Sequence, residues 1–184
     1  MNTVAWLFTI DIGIQIIMLA GLAWSTAVPS RRIWPPPHRG AWQGRLTWAL
    51  FYLVFGLNAA LLVLDWNQWR FSSPLRYVPG IALTVIGLLL LSWGFRNLGA
   101  RNTSGLRDGF VAAGPYRFSR NPQYLGDMLL FVGLSLIANS MHLWIAHTLL
   151  ILVFAFTPWA EETWLEEQYG QAYRDYKLEV PRFL

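Results

Sequence analysis

Long apolar segments separated by short polar ones run through the whole chain. Five of these segments have the length and composition of membrane-spanning helices or of the arms of a helical hairpin. They cover residues 4–28, 46–64, 78–95, 124–138 and 141–157. Only Asn139 and Ser140 separate the last two, and a connection that short requires an antiparallel helical hairpin.

The pattern changes from residue 161 onward. Tyr169, Tyr173 and Tyr176 recur at helical spacing, and charged residues lie between them, which is typical of an amphipathic helix. We expect this helix to lie on the membrane face or back over the protein. We expect the amphipathic helix to begin after Pro158. Gly170 lowers the helix propensity in its middle. The sequence therefore predicts an all-α fold, a polytopic membrane protein with about five transmembrane helices and a C-terminal amphipathic helix.

The composition agrees with a single membrane domain over residues 1–184. Hydrophobic residues make up 55% of the chain and charged residues 13%, well below the roughly one quarter that is usual in soluble domains. Residues 1–95 hold three N-terminal spans, and residues 96–184 hold a long polar loop, the hairpin and the C-terminal helix. The absence of cysteine excludes disulfides, thiolate metal sites and a cysteine nucleophile. Because the first apolar run lacks the basic start of a signal peptide, we expect it to remain as a span.

The distribution of arginines predicts the orientation in the membrane. The loops at 31–45 and 96–120 carry four and five arginines, whereas the alternate loops carry two (Arg70 and Arg76) and none. Cytoplasmic loops are enriched in Arg and Lys. Both basic loops and the C-terminus are therefore expected in the cytoplasm, and the N-terminus is expected outside. We interpret the formal charge of +4 as a result of this topology and expect no nucleic-acid partner.

Two features inside the apolar segments favour helix packing. Gly80, Gly87 and Gly94 follow one another at a seven-residue spacing, which keeps small residues near one face and lets a neighbouring helix approach closely. Asp11 and Gln15 lie one turn apart in the first span. An interhelical hydrogen bond is the favoured interpretation of this pair, and a polar relay is the alternative.

The most unusual polar stretch runs from residue 114 to residue 126. Pro122 suits the first turn of the fourth span, so Arg120, Asn121 and Tyr124 would cluster at a helix N-terminus, which favours an anion. The hairpin returns the chain to the same membrane side and brings the Glu161–Glu162 pair beside this cluster, where acids at a membrane boundary tend to be functional. Together the two sides could hold a zwitterion with a cationic or aromatic part between tyrosines, a description that S-adenosyl-L-methionine fits. The alternatives are an ion pair between Arg120 and a glutamate that only pins the hairpin, or arginines that only set topology.

Two separated motifs resemble those of a known group of enzymes. The first is Gly114-Pro115-Tyr116 followed by Arg120-Asn121-Pro122-Gln123-Tyr124-Leu125-Gly126, and the second, after the hairpin, runs from Glu161-Glu162 through Gly170, Tyr173 and Tyr176 to Val180-Pro181-Arg182-Phe183. Their order and spacing are similar to those of the isoprenylcysteine carboxyl methyltransferase and phospholipid methyltransferase superfamily of integral membrane enzymes, in its bacterial type. The resemblance covers the C-terminal half, and the first three spans match only in being apolar.

This resemblance implies an S-adenosyl-L-methionine-dependent methyltransferase of a bacterial or archaeal inner membrane. Its acceptor would be lipophilic: a phospholipid amine, an isoprenylcysteine-like carboxylate or another hydrophobic small molecule. Arg120 and Glu162 are the candidate catalytic residues, although helical geometry does not separate Glu161 from Glu162 as the main cofactor ligand. The implied cofactor-binding residues are Phe110, Val111, Tyr116, Asn121, Pro122, Gln123, Tyr124 and Glu161.

Two positions depart from the pattern of the superfamily. Asn121 stands where many members have histidine, and asparagine keeps hydrogen-bonding capacity but cannot titrate near neutrality. Thr157 stands where the eukaryotic isoprenylcysteine enzymes have an arginine, which disfavours prenylcysteine as the acceptor. Asp127 is either a base near the acceptor or a partner of an arginine, and the spacing of His142 and His147 predicts no metal site.

Two other functions stay open at this stage. Sterol-reductase-type membrane enzymes share a similar C-terminal Arg-x-Pro-x-Tyr region and bind NADPH, although those chains usually have more spans. A non-catalytic membrane protein could also keep the hairpin only as structure. The tryptophans are interpreted mostly as anchors at the membrane interface.

Overall fold

The structure is a computed structural model that describes residues 2–69 and 73–184. Among the described residues, four helices are long and apolar enough to cross a membrane: α1 (Thr3–Ala27), α2 (Trp42–Leu64), α3 (Tyr77–Thr103) and α5 (Met141–Tyr169). Helix α4 (Pro122–Ala138) is a shorter apolar helix. No strand occurs in the described residues, so the predicted all-α fold with about five spans is confirmed. Arg70, part of the topology prediction, lies outside the described residues. The C-terminal helix is α6 (Gln171–Glu179).

Helices α3 and α4 approach each other along the predicted glycine face. A Cβ atom added to Gly87 would lie 2.6 Å from the carbonyl oxygen of Gly126, and one added to Gly133 would lie 2.6 Å from that of Gly80. At Gly94 an added Cβ would meet the side chain of Gln123 at 2.7 Å. The backbones therefore touch because no side chains stand between them, and the interpretation of the glycine spacing is confirmed.

The apolar core lies where α5 packs against α1, α2 and α4. Its buried residues include Met18, Leu22, Val54, Phe131, Leu150, Val153 and Phe154. The polar pair in α1 sits at the edge of this packing and is fully buried. Asn58 of α2 donates to Asp11 at 3.1 Å, and Gln15 donates to the same carboxylate at 2.8 Å, so the expected interhelical hydrogen bond is confirmed.

The C-terminal helices differ from the prediction in where they break. Helix α5 continues through Pro158 to Tyr169, so the expected break at Pro158 was wrong. A single missing N–H is tolerated where neighbouring helices pack around a long helix, and Pro158 is buried. The chain bends instead at Gly170, whose φ of +56° suits glycine. Helix α6 then folds back over the protein and buries Tyr173 and Tyr176.

The third span also extends farther than predicted. Helix α3 runs to Thr103, with non-helical backbone only at Gly99. The first part of the polar interval is therefore helical, and Arg96 and Arg101 are carried on α3 rather than in a loop. Thr103, the last residue of this extended helix, accepts a hydrogen bond through its hydroxyl from the side-chain amide of Gln123 in the first turn of α4 at 3.2 Å.

Candidate functional site

The hairpin of α4 and α5 brings Tyr124 and Glu161 into direct contact. The Tyr124 hydroxyl, in the first turn of α4, donates to Glu161 Oε1 at 2.6 Å. Glu161 lies twenty residues after the start of α5, so antiparallel pairing returns it to the level at which α4 begins. The prediction that the polar cluster and the Glu161–Glu162 pair are neighbours is confirmed.

Trp34 is a third member of this contact that sequence reasoning missed. Its indole Nε1 donates to the same Glu161 oxygen at 2.7 Å, and its side chain is buried. The Ser25 hydroxyl accepts from the backbone N–H groups of Ile33 and Trp34 at 2.9 and 3.2 Å and so fixes the connector that carries the indole. The only available signal was that Trp34 precedes a stiff run of three prolines.

Glu162 has a different environment from its neighbour. Arg120 Nη1 donates to Glu162 at 2.9 Å, and Arg182 donates to both carboxylate oxygens of Glu162 at 2.8 and 2.9 Å. This hydrogen bonding with Glu162 raises the pKa of Arg182. The guanidinium of Arg182 also lies 3.9 Å from the ring centre of Trp159. The proposed hairpin-pinning ion pair therefore exists, but at Glu162 and not at Glu161.

The C-terminal tail is fastened to the start of α4. The backbone N–H of Arg120 donates to the carbonyl of Pro181 at 2.9 Å, and the side-chain amide of Asn121 donates to the carbonyl of Arg182 at 3.0 Å. The side chain of Asn121 thus uses one N–H to bind the tail. An imidazole N–H at this position could donate the same hydrogen bond. Pro122 is fully buried at the first position of α4, where its ring fixes the backbone conformation at the start of the helix.

A small cavity, here called the loop cavity, lies between α6, α5, the start of α4, the end of α3 and the loop that follows α3. Its volume is about 110 Å³. Seven of the eight implied cofactor-binding residues and Arg120 line it, whereas Pro122 and Glu162 do not. The residues that sequence reasoning did not assign to it are Leu98, Asn102, Thr103, Gly105, Gly109, Trp164, Leu165, Tyr169, Tyr173 and Tyr176.

Aromatic rings form one wall of the loop cavity. The Phe110 ring lies 5.5 Å from that of Tyr169 and 5.4 Å from that of Tyr176. Asn102 holds the loop in front of Phe110, because its amide donates to the Gly109 carbonyl at 2.9 Å. Tilted and edge-on rings of this kind suit a flat aromatic or cationic group.

The tyrosine hydroxyls of this cavity act as neutral hydrogen-bonding groups. Gln123 donates to the Tyr116 hydroxyl at 2.9 Å, and the Tyr176 hydroxyl donates to the Tyr116 carbonyl at 2.6 Å. Burial raises the pKa of Tyr116 and of Tyr173 and raises that of Tyr176 to about 12. None of the three is therefore a phenolate at neutral pH.

A second and larger cavity, here called the interhelical cavity, lies deeper among α1 to α5. Its volume is about 560 Å³, within the range of roughly 300–1,000 Å³ typical of small-molecule sites. Most of its lining is apolar, and Thr157 takes part in it. Thr103, Gln123 and Tyr124 line both cavities, so the two meet at these side chains.

Arg120 and Glu161 each keep a polar atom that has no hydrogen-bond partner among the described residues. Arg120 Nε is buried and makes no hydrogen bond within the described chain. Glu161 uses only Oε1 for its two bonds, so Oε2 is available as an acceptor. A cation beside an acid suits the carboxylate and ammonium of an amino acid, so the residues present fit S-adenosyl-L-methionine. Over residues 2–69 and 73–184 no group of acidic and histidine side chains could hold a metal ion.

Comparison with known proteins identifies the region that carries this site. The family model described as PEMT, phospholipid methyltransferase, matches residues 75–172, just over half of the chain. The matched region contains α3, the loop, α4 and α5, and thus all of the predicted site residues. The chain matches no curated protein and no solved structure.

Proposed function

The chain belongs to the phospholipid methyltransferase family, and on this premise we propose that it is an S-adenosyl-L-methionine-dependent methyltransferase acting on a lipophilic acceptor in the membrane. The loop cavity would bind the cofactor and the interhelical cavity the acceptor. The observation that carries this proposal is the hydrogen bond between Tyr124 and Glu161, made at the place where the two cavities meet.

The residues around the loop cavity divide into two groups in this proposal. Glu161 would accept from the cofactor's ammonium group through its free oxygen, and Arg120 Nε would donate to the cofactor's carboxylate. Phe110, Tyr169 and Tyr176 would enclose the adenosyl part. Glu162 would act as a positioning residue, because it holds Arg120 and Arg182 without lining either cavity.

The size of the loop cavity implies a movement on binding. About 110 Å³ is below the roughly 300 Å³ at the lower end of small-molecule sites. We expect the Phe110 ring, which is 38% exposed, to move away from Tyr169 and Tyr176 when the cofactor enters.

The protein's contribution to the reaction would be positioning and exclusion of water. The cofactor supplies an activated methyl group on a sulfonium. Tyr124 lines both cavities and would therefore set the alignment of the acceptor with that methyl group. The apolar lining of the interhelical cavity would exclude water from the transfer. By the arginine distribution, the loop cavity would face the cytoplasm, and the N-terminus would lie outside.

Titration of the purified protein tests this proposal. S-adenosylhomocysteine should bind and NADPH should not; binding of NADPH alone would point to a reductase, and binding of neither to a non-catalytic protein. Incubation with labelled methyl donor and a membrane lipid extract should then label a lipid. Glu161→Gln should lower the affinity for S-adenosylhomocysteine about 100-fold and reduce the labelling, and Asp175→Asn, which removes an exposed carboxylate on α6, is the matched control.

A further inference from the structure

Asp11, Gln15 and Asn58 form a polar cluster, here called the α1–α2 cluster, within the first two spans. Asp11 and Gln15 are 0% exposed, and Asn58 is 5% exposed. Gln15 donates to Asp11 Oδ2 at 2.8 Å, and Asn58 donates to Asp11 Oδ1 at 3.1 Å. Both carboxylate oxygens are therefore hydrogen-bonded, but only by neutral amides.

The charge of the Asp11 carboxylate is not balanced within the described chain. None of the arginine, lysine and histidine side chains that the structure describes forms a salt bridge with Asp11. The carboxylate of Glu162, by contrast, pairs with Arg120 and Arg182. A carboxylate buried among apolar helices is very costly unless a positive charge accompanies it. The α1–α2 cluster therefore lacks one positive charge.

Two further oxygens of the α1–α2 cluster lack a partner. Gln15 Oε1 and Asn58 Oδ1 are buried and accept no hydrogen bond within the described chain. Buried polar atoms are normally hydrogen-bonded, and an exception points to a bound water or ion. A proton on Asp11 would balance the charge but would supply only one donor for these two oxygens. A metal cation balances the charge and can also bind several oxygens at once.

The composition of the α1–α2 cluster determines which cation fits it. Its members offer one carboxylate and two amide carbonyls, and oxygen ligands of this kind suit hard cations. Because the cluster carries a single negative charge, a monovalent ion neutralises it, whereas a divalent ion would leave a positive charge buried among apolar side chains. Each amide can turn its oxygen toward the carboxylate by rotation about the last side-chain bond.

We propose that the α1–α2 cluster binds a monovalent metal cation, Na⁺ or K⁺, through the carboxylate of Asp11 and the amide oxygens of Gln15 and Asn58. The bound ion would hold α2 against α1. Both helices line the interhelical cavity, but the three cluster residues do not, so this site is separate from the proposed acceptor site.

The position of the α1–α2 cluster along its two helices indicates the side from which the ion would enter. Asp11 lies about 12 Å along the axis from the start of α1, and Asn58 lies about 9 Å before the end of α2. Both distances are shorter than those to the opposite ends of the helices. The ion would therefore enter from the membrane side on which α1 begins.

Thermal unfolding of the full chain in detergent tests this proposal. Chloride salts of sodium, potassium and choline are compared at equal ionic strength. The unfolding temperature should rise with the concentration of Na⁺ or K⁺ and then level off, because an ion that binds only the folded protein stabilises it. Choline should have no such effect, and the comparison of Na⁺ with K⁺ identifies the ion. Equal unfolding temperatures in all three salts would overturn the proposal.

Variants of the cluster assign this effect to its residues. Asp11→Asn keeps the size of the side chain but removes the charge, and it should lower the affinity for the ion about 100-fold. Gln15→Met removes one amide oxygen at similar volume and should lower the affinity about tenfold. Asp175→Asn on the exposed face of α6 should leave it unchanged. Wild-type ion affinity in Asp11→Asn would contradict the assignment.

Direct binding to the wild-type protein gives a measurement that does not depend on the folding of any variant. Radioactive sodium, or rubidium in place of potassium, should bind at one ion per chain and be displaced by the unlabelled ion but not by choline. The absence of saturable binding of both ions would overturn the proposal. All of these measurements are made without a methyl donor, so their outcome is independent of the methyltransferase function proposed above.

Discussion

The two ends of the α4–α5 hairpin are built from similar polar residues but treat them differently. At the turn, Asn139 donates to Asn67 at 2.8 Å and to the carbonyl of Trp69 at 3.0 Å. Ser140 and His142 both donate to Asp65, the latter at 3.0 Å. At the open end, Arg120 Nε has no partner within the described chain.

The two ends therefore differ in how completely their polar groups are paired. Buried polar groups in folded proteins are normally hydrogen-bonded, and the turn end obeys this rule. At the open end, one oxygen of Glu161 and the whole carboxylate of Asp127 make no hydrogen bond within the described chain, and both residues line cavities. This incomplete pairing beside two cavities supports our proposal that the open end of the hairpin binds the ligands.

The largest effect should come from Glu161→Gln at the open end. The change removes the negative charge that would bind the cofactor's ammonium, and we expect S-adenosylhomocysteine affinity to fall about 100-fold, as for loss of a charged hydrogen bond. Thermal stability should change little, because an amide oxygen can still accept from Tyr124 and Trp34. Calorimetric titration measures the affinity, and unchanged binding would refute the division between the two ends.

The second-largest effect should come from Asp65→Ala at the turn end. Ser140 and His142 would lose their shared acceptor, and the free energy of unfolding should fall by about 2 kcal/mol. The affinity of the folded variant for S-adenosylhomocysteine should stay at the wild-type value. Thermal unfolding in detergent measures the first quantity, and a loss of affinity without a loss of stability would contradict the comparison.

A smaller effect is expected for Trp34→Phe. This change keeps an aromatic ring but removes the N–H that donates to Glu161, and affinity should fall about tenfold. Trp6→Phe is the matched control, since the side chain of Trp6 is exposed on α1. Equal affinities of the two variants would show that Trp34 is only a packing residue.

The smallest effect should come from Arg182→Gln. Glu162 would keep Arg120 as a partner, and since Arg182 is partly exposed the free energy of unfolding should fall by only about 1 kcal/mol. Arg174→Gln on the exposed face of α6 is the control. A change in cofactor affinity larger than the change in stability would place Glu162 with the ligand-binding residues after all.

Comparison of sequence and structure shows which features local pattern could predict. The hairpin followed from two apolar runs separated by two residues, and the close packing of α3 on α4 followed from the spacing of Gly80, Gly87 and Gly94. The spacing of residues along the chain was enough for both. The prediction failed at Pro158, where packing of neighbouring helices outweighed a local propensity against helix.

The choice between Glu161 and Glu162 needed the tertiary structure. The two are adjacent and chemically identical, so one helical step, about 100° of rotation, decides which faces the loop cavity and which meets Arg120 and Arg182. The contact of Trp34 with Glu161 could not be predicted from the sequence either, because 127 residues separate the two and no periodicity links them.

The sequence by itself determined the helices, the hairpin and the residue types at its open end, since these depend on local spacing and polarity. Only the tertiary structure decided which of those side chains are paired and which face a cavity, because that depends on the packing of elements distant in the chain.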